Sequence, residues 1–466
     1  MLTAQRTGSG SDIATGLADR PFDSIDFSAG ALVAISGGSD STALLLLLKD
    51  YLDRHAPRAP LLAATVDHAL RPQSAAEAQA VARLCARYGI AHRTLLWRGE
   101  KPATGLPAAA REARYRLLAK AAEDAGISLI LTAHTADDQA ETVLMRQART
   151  RSAQTGNGRG LAGMAPATLY DWRTWIVRPL LGLRRQVLRD FLRDRRVDWI
   201  EDPTNADEDF ERPRIRATLN RRRDSDQLAG LLATAAAAAG EREELSRRAA
   251  LLLRMFASMA APGLLRLDPA FAAADREAAI AALRPLLATV GGTPFPPDAA
   301  RTAALIERLD LEKKGRATLS RTVIDRRRAG IFLHREQRGL PDATLARDGM
   351  VWDGRHRINL GDGDSLAVIE AAGADGGESA TPVANSVPAS LVAAARAAEP
   401  RLRPRAGGDA ISAAEAPRPA IVPLISPFAR FLPSFDIELA ATVAGLVGAP
   451  SLPALPFRSK KTASNA

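Results

Sequence analysis

Cysteine is almost absent from the chain. Cys85 is the single one in 466 residues, which excludes an internal disulfide and any paired-cysteine site for zinc or an iron–sulfur cluster. It sits in an apolar helical run beside Leu84 and reads as core rather than as a reactive thiol. No unbroken aliphatic run approaches the roughly 20 residues that a membrane-crossing helix needs. The opening segment carries Arg6, Asp12, Asp19 and Asp23 and has no apolar core of a secretion signal. These absences predict a cytoplasmic protein. Long blocks of like charge are also missing, so the chain reads as folded. There is no GxxxxGK[ST] segment, and with it goes the lysine that a Walker A loop sends to the β- and γ-phosphates.

What is present begins with charge. The formal net charge is +10, carried mostly by Arg, whose planar fork grips phosphate. A basic, Arg-rich folded chain suits a polyanionic partner; the plainer alternative is a proteome that uses Arg where others use Lys. The length predicts about three domains of roughly 150 residues each.

The stretch Ala31-Leu-Val-Ala-Ile-Ser-Gly-Gly-Ser-Asp-Ser41 runs a buried apolar strand into a glycine turn and then into a helix. Two residues without Cβ let the backbone approach an anion, and the following helix points free N–H groups and its positive end at it. Ser36, Ser39 and Ser41 add hydroxyls around Gly37 and Gly38, and Asp40 supplies the carboxylate that a magnesium ion on the phosphates needs. A plain strand-to-helix turn explains the glycines alone, but not the hydroxyls and carboxylate with them.

Alternation continues over the first 200 residues: strand 31–36, helix 41–53, strand 61–67, helix 74–88, strand 91–97, helix 107–125 and strand 128–134. The spacing predicts an α/β fold with a doubly wound parallel sheet, in which ligands bind beyond the carboxyl ends of the strands. Gly89 and Gly126 stop two of the helices. Asp67 and His68 follow the second strand and either line an adenosine pocket or cap the next turn, capping being the plainer reading. Arg111 and Arg114 share a helix face, as a phosphate clamp or as a solvated surface. The fourth strand delivers His134, Asp137, Asp138 and Glu141. Asp138 and Glu141 are three apart and converge on one side of a helix, an arrangement that can bind and deprotonate a cationic amine. Asp137 is explained by the preference for acids in a first helical turn.

The motif Ser36–Ser41 resembles the SGGxDS signature of the PP-loop ATP pyrophosphatases, which cleave ATP between its α- and β-phosphates. Read in order with Val66–Arg71, Arg111–Tyr115, Thr132–Thr142, Gly158–Met164, Arg178-Pro-Leu-Leu181, Glu201-Asp-Pro-Thr-Asn205 and Arg212–Arg216, it resembles the tRNA(Ile)-lysidine synthases over about the first 220 residues. The Gly160–Met164 and Glu201–Asn205 segments discriminate most. The resemblance implies an adenine nucleotide alpha hydrolase-like fold. It also implies a ligase that adenylates the wobble cytidine of a CAU-anticodon tRNA(Ile) and joins lysine to it. Carried over, it implies ATP at Ser36, Gly37, Gly38, Ser39, Asp40, Ser41, Asp67 and His134, with Mg2+ at Asp40. Asp40, Arg111, Asp138 and Glu141 are implied as catalytic, Asp138 and Glu141 also as the lysine-binding pair. Arg114, Arg212, Arg214 and Arg216 are implied to meet the tRNA. Thr135 stands where relatives often have a second His, and Pro213 where they commonly have Asn. The implied partners are the tRNA and free lysine, and a homodimer is left open.

Downstream, Ala/Leu/Arg-rich runs such as Leu228–Arg254 predict a helical second domain over 221–340. A small C-terminal module over 341–466 follows, with a hairpin turning at Asp353-Gly354, a linker at 371–385, a phosphate-contacting loop over Leu402–Asp409 and a basic tail. Three other functions compete. tRNA thiolation usually needs paired cysteines, which a lone Cys85 does not provide. A relic, non-catalytic RNA-binding fold needs a damaged phosphate loop, yet this one is complete. Small-molecule amidation gives no reason for the basic C-terminal half.

Overall fold

The computed structural model describes residues 19–70, 73–153, 158–201, 214–216, 225–311, 314–360, 367–373, 387–404 and 421–458. Two compact units divide the chain, Met1–Gly240 with Pro453–Ala466, and Glu241–Leu452. In the first, the elements follow in the order β1 (Ala31–Ala34), α1 (Ser39–His55), β2 (Leu61–Asp67), α2 (Ser74–Arg87), β3 (Ala91–Leu96) and α3 (Leu106–Glu123). Next come β4 (Leu129–Leu131), α4 (Ala136–Ala153), β5 (Ala167–Tyr170), β6 (Thr174–Val177) and α5 (Arg185–Asp194). The strands of this unit lie side by side as β5-β6-β4-β1-β2-β3. All neighbours are parallel except β5 against β6.

This order decides where a ligand fits. From the central β1 the chain moves to β2 on one side, and β4 is added on the other, with Leu32 opposite Leu62 and Ile130. The crevice beyond the carboxyl ends of β1 and β4 is therefore the switch point of the sheet. β1 is apolar throughout because helices cover both faces. α1 is apolar nearly all round for the same reason, with Leu44–Leu48 buried and Tyr51 packed on Phe22 and Phe27 at 5.4 and 5.8 Å between rings. Gly89 and Gly126 adopt φ +66° and +68° just past α2 and α3, the left-handed stop expected of them. Cys85 is fully buried, and burial pushes its thiol up to about 11.

Two strands end earlier than their apolar patterns suggest. β1 stops at Ala34 because the Ser36 N–H turns to the Ser41 Oγ at 3.2 Å. β4 stops at Leu131, ahead of Thr132 and His134, whose side chains bond each other at 3.0 Å. Both departures fall at the switch point.

The second unit adds an antiparallel sheet to the helices expected over 221–340. The long helix α6 (Ser225–Phe256), which contains the division between the units, leads into β7 (Ala257–Ala261) and β8 (Leu264–Leu267). α7 (Arg276–Gly291), α8 (Ala299–Leu311), β9 (Gly315–Leu319), β10 (Thr322–Arg327) and β11 (Gly330–Arg335) follow. The five strands form an antiparallel sheet, β7-β8-β11-β10-β9. Arg and Asp within the strands hid their alternation, and the β9–β10 turn uses Ser320 and Arg321 at positive φ instead of glycine. At Gly291 a Cβ would lie 1.7 Å from the Ser320 carbonyl oxygen, so only glycine lets the end of α7 meet that turn.

Further on come β12 (Thr344–Leu345), β13 (Val351–Trp352), β14 (His356–Ile358), β15 (Ala367–Ala371), α9 (Ala389–Ala397), β16 (Pro400–Pro404), β17 (Ile421–Pro423) and α10 (Ile437–Val447). The hairpin at Asp353-Gly354 is present, with Trp352 opposite His356 and both turn residues at positive φ. Leu402–Pro404 lies in β16, not in a loop, and Arg403 is paired with Glu370 at 3.0 Å. The rest of that segment, most of 371–385 and the basic tail lie outside the described residues.

Asp353 organises the hairpin. Its fully buried carboxylate accepts from Arg321 at 2.5 Å, Arg335 at 3.0 Å and Arg355 at 2.8 Å. Arg355 also reaches Glu399 at 2.7 Å, and His356 lies 3.5 Å from the same carboxylate. Burial pushes the Glu399 carboxyl up, but the His356 hydrogen bond and the Arg355 charge outweigh it and hold the group at about 2 against an ordinary 4.5. A depressed carboxyl stabilises fully above its unfolded value and loses that contribution as pH falls towards the folded one. Between pH 5 and 2, Glu399→Gln is expected to flatten the acid loss of stability while lowering stability at neutral pH. Urea unfolding across that range checks this; an unchanged acid slope rules Glu399 out as the titrating group.

Candidate active site

The loop after β1 holds itself in shape before any ligand arrives. The Ser41 Oγ donates to the Gly38 carbonyl at 3.1 Å, lies 3.2 Å from the Ser36 Oγ and accepts the Ser36 N–H. Gly37 adopts φ +85°, and a Cβ there would lie 2.6 Å from Ile200 Cδ1. The Ile200 N–H donates to the Gly37 carbonyl at 2.9 Å. The chain just before Glu201 is thus packed directly on the phosphate loop. Ser39 and Asp40 form the first turn of α1, with the Ser39 hydroxyl on Asp40 Oδ1 at 3.1 Å.

Across the switch point, α4 begins with a reciprocal cap. The Thr135 N–H and hydroxyl donate to Asp138 Oδ2 at 2.8 and 2.7 Å, and the Asp138 N–H faces the Thr135 Oγ1 at 3.4 Å. Thr135 is fully buried, and its bonds to Oδ2 leave Asp138 Oδ1 to the guanidinium of Arg185. Next to it, the Gln139 side chain clamps the Met164 backbone in both directions, at 2.7 and 3.1 Å. Arg146 donates to the carbonyls of Gly160 and Gly163 at 2.6 and 2.8 Å. A Cβ at Gly163, which has φ +63°, would lie 2.6 Å from Gln139 Oε1. Gly160–Met164 is therefore docked on α4. The segment 154–157, and the side chains of Arg151 and Arg159, lie outside the described residues.

One guanidinium joins the two sides. Arg185, at the start of α5, donates from Nε to Asp40 Oδ2 and from Nη2 to Asp138 Oδ1, both at 2.9 Å, and its Nη1 lies 3.6 Å from Glu141 Oε1. Glu141, buried at 2% exposure, is also bound by Arg216 at 2.8 Å. Burial alone would raise the Asp138 carboxyl, but the Arg185 charge and the Thr135 hydrogen bonds hold it below the usual carboxylate range. Asp137 stands apart from this cluster: it accepts the Arg185 backbone N–H at 2.7 Å and pairs with Arg184 at 3.1 Å. It fixes the start of α5, which is a structural role.

Asp40, Asp138 and Glu141 are thus brought together. His134 sits beside them with Nδ1 on Thr132, and its charge lowers the Asp138 carboxyl further. Asp67 accepts the Ala69 N–H at 2.8 Å, the capping geometry. Arg111 lies over the Tyr115 ring at 5.0 Å, near the buried Arg178, and Arg114 lies near His68. Both belong to α3, and their neighbours are these rings and cations rather than the carboxylate cluster. Arg214 is exposed; Arg212 and Pro213 lie outside the described residues.

Known proteins resemble the chain along the same lines. Residues 19–223 match the PP-loop domain family. A tRNA(Ile)-lysidine synthase of Mesorhizobium japonicum is 58% identical over 445 residues, 95% of this chain and 97% of that protein. The Rhizobium meliloti protein of the same name is 39% identical over 91% of this chain and 93% of its own, and that of Brucella ovis 42% over 70% and 72%. The chain belongs to the tRNA(Ile)-lysidine synthase family. Its PP-loop domain makes it a user of ATP.

Sequence reasoning missed Arg184 and Arg185. A signal was available: two arginines open a helix, where the macrodipole favours acids. Such a placement needs carboxylates from elsewhere, and Asp40, Asp137, Asp138 and Glu141 supply them. Thr135→Ala is expected to destabilise the fold by about 1 kcal/mol, the loss of a helix cap, while Thr135→Ser keeps the hydroxyl and most of that stability. Thermal unfolding of the two variants checks this, and equal melting would remove Thr135 as the cap.

Proposed function

We propose that this chain is the ATP-dependent ligase of its family, activating the C2 carbonyl of the wobble cytidine in a CAU-anticodon tRNA(Ile) and joining the ε-amine of free lysine to that carbon. The carrying observation is the reach of Arg185, whose guanidinium meets Asp40 beside the phosphate loop and Asp138 on the facing helix, each at 2.9 Å. A nucleotide held at one carboxylate and an amine held at the other are neighbours, as attack of the amine on an adenylated carbon requires.

In this reading the backbone and hydroxyls of Ser36–Ser41 hold the triphosphate. The cytidine O2 attacks the α-phosphorus and pyrophosphate leaves; the amine then attacks C2 and AMP leaves. Magnesium takes one or two carboxylates together with phosphate oxygens, and Asp40, with its side chain 20% exposed in the first turn beside the loop, suits that ligand set. When bound, the ion neutralises charge on the departing pyrophosphate. Asp138 and Glu141 receive the lysine ammonium, which titrates at about 10.4 in water and has to lose a proton before it attacks. Asp138, oriented by Thr135, suits holding the ammonium, and Glu141 one turn on takes the proton. His134 and Asp67 line the nucleotide side. Arg111, Arg114, Arg212, Arg214 and Arg216 meet the tRNA through backbone contacts, the usual mode for a folded RNA.

The domain division at about 220 and 340 belongs to this reading, with the later parts gripping the tRNA. The compartment is the cytoplasm, where tRNA and lysine meet. Among the described residues no helix is long and apolar enough to cross a membrane.

The test is incubation with ATP, Mg2+, labelled lysine and total bacterial tRNA, followed by digestion to nucleosides. Label in a modified cytidine is expected. AMP and pyrophosphate without incorporated lysine would mean another nucleophile. Asp40→Ala is expected to abolish pyrophosphate release and leave tRNA binding nearly intact. Asp138→Asn is expected to raise the lysine KM about tenfold or more, the loss of a charge-assisted hydrogen bond, with a smaller change in the ATP KM. An unchanged lysine KM would remove Asp138 from amine recognition.

A further inference from the structure

Among the described residues, both members of the acid pair already carry arginine donors. Asp138 Oδ2 is taken by the Thr135 N–H and hydroxyl, and Oδ1 by Arg185. Glu141 Oε1 is shared between Arg216 at 2.8 Å and Arg185 at 3.6 Å. Arg185 itself is 16% exposed and aims a different nitrogen at each of three carboxylates. It occupies the position of the cation that the acid pair receives in the proposed reaction.

We propose that Arg185 is a gate on lysine binding: its guanidinium fills the ammonium position on Asp138 and Glu141 until the magnesium-bound triphosphate draws it away, so that lysine binds after the nucleotide. The inference rests on the reading of Asp138 and Glu141 as the lysine pair. Three observations carry it. First, Arg185 is already at the phosphate loop, because its Nε is on Asp40 in the first turn of α1. An arriving triphosphate offers the fork a denser anion within a short swing. Second, the guanidinium rests on three carboxylates, one of which, Asp40, is the residue that would hold the metal. Third, the backbone of Arg185 is anchored independently, its N–H on Asp137 at 2.7 Å, so the side chain can swing without moving α5.

Charge counting gives the same order. The carboxylates of Asp40, Asp138 and Glu141 outnumber the guanidiniums of Arg185 and Arg216 that face them by one before substrates arrive. A free lysine would have to displace Arg185 without offering it a new anion. The nucleotide provides that anion, and coupling of this kind is reciprocal, so lysine tightens nucleotide binding by the same factor.

The test is equilibrium dialysis of labelled lysine against the full chain, with and without Mg2+ and an α,β-methylene analogue of ATP that cannot release pyrophosphate. The wild type is expected to bind lysine about tenfold or more tightly when the analogue is present. Arg185→Gln is expected to bind lysine without nucleotide, with affinity changing by no more than about twofold on adding it. Arg185→Lys, which keeps the charge but loses the fork, is expected to fall between. Circular dichroism establishes that the variants fold, and the wild-type comparison stands without them. A wild-type affinity indifferent to the analogue, with Asp138→Asn still losing lysine, overturns the gate alone. Lysine binding that is equal in wild type and Asp138→Asn overturns the acid-pair reading and the gate with it.

Discussion

The guanidinium of Arg185 is the constraint on which the site depends. Three carboxylates on two helices face one crevice, and like charges so close are stable only around a cation. Removing one partner of such a buried pair costs about 3–5 kcal/mol, because the charge left behind is neither solvated nor matched. On the proposed reading the same repulsion makes the site useful: carboxylates held together against their mutual repulsion bind an incoming cation strongly once their resident one moves. Stability of the ligand-free state and affinity for substrate are therefore set by the same charges.

Backbone geometry makes that cluster possible. At Gly37 and Gly163 positive φ favours glycine, and a Cβ would press on the side-chain ends of Ile200 and Gln139 respectively, so both positions help two segments far apart in the chain to close onto the crevice. Gly37 brings the residues before Glu201 onto the phosphate loop, and Gly163 brings the glycine-rich segment onto the helix bearing the acid pair. Thr135 and Asp137 then act as orienting groups, one turning Asp138 inward and the other fixing the first residue of α5. The reactive side chains come from α1 and α4, but their directions are set by neighbours with no chemistry of their own.

This explains what could be read from the residues and what could not. The parallel sheet was legible because its central strands β1 and β4 are apolar on both faces and glycines stop the helices at Gly89 and Gly126. The phosphate loop was legible because its chemistry is local: Ser36, Gly37, Gly38 and Asp40 act within one turn. Arg185 was legible only as a cation out of place at a helix start, because the carboxylates it joins lie 145 and 47 positions away in the chain and nothing local identifies them. The sheet of the second unit was hidden for a related reason. Its strands carry Arg266, Arg316, Asp325 and Arg327, charges that mask a period of two and are tolerated because each strand has a solvated side or a partner such as Arg327 on Asp325.

Arginine does two kinds of work in this chain, and separating them changes how the net charge is understood. Arg321, Arg335 and Arg355 surround the buried Asp353, Arg242 pairs with Asp436, and Arg184 and Arg185 are tied to the catalytic helix. These guanidiniums are structural cations, internally neutralised, and contribute little to the field outside. What an RNA backbone meets is the excess, a net +10 over the whole chain, which reaches across solvent only to about a Debye length, roughly 8–10 Å in physiological salt. On the proposed reading, attraction of tRNA is thus a property of the surplus, whereas reception of a cationic amine belongs to the carboxylates that the paired arginines hold. A chain can be basic enough to gather a polyanion and still present an acidic crevice, provided the guanidinium that joins Asp40 to Asp138 there, that of Arg185, is one that the approaching RNA does not compete for.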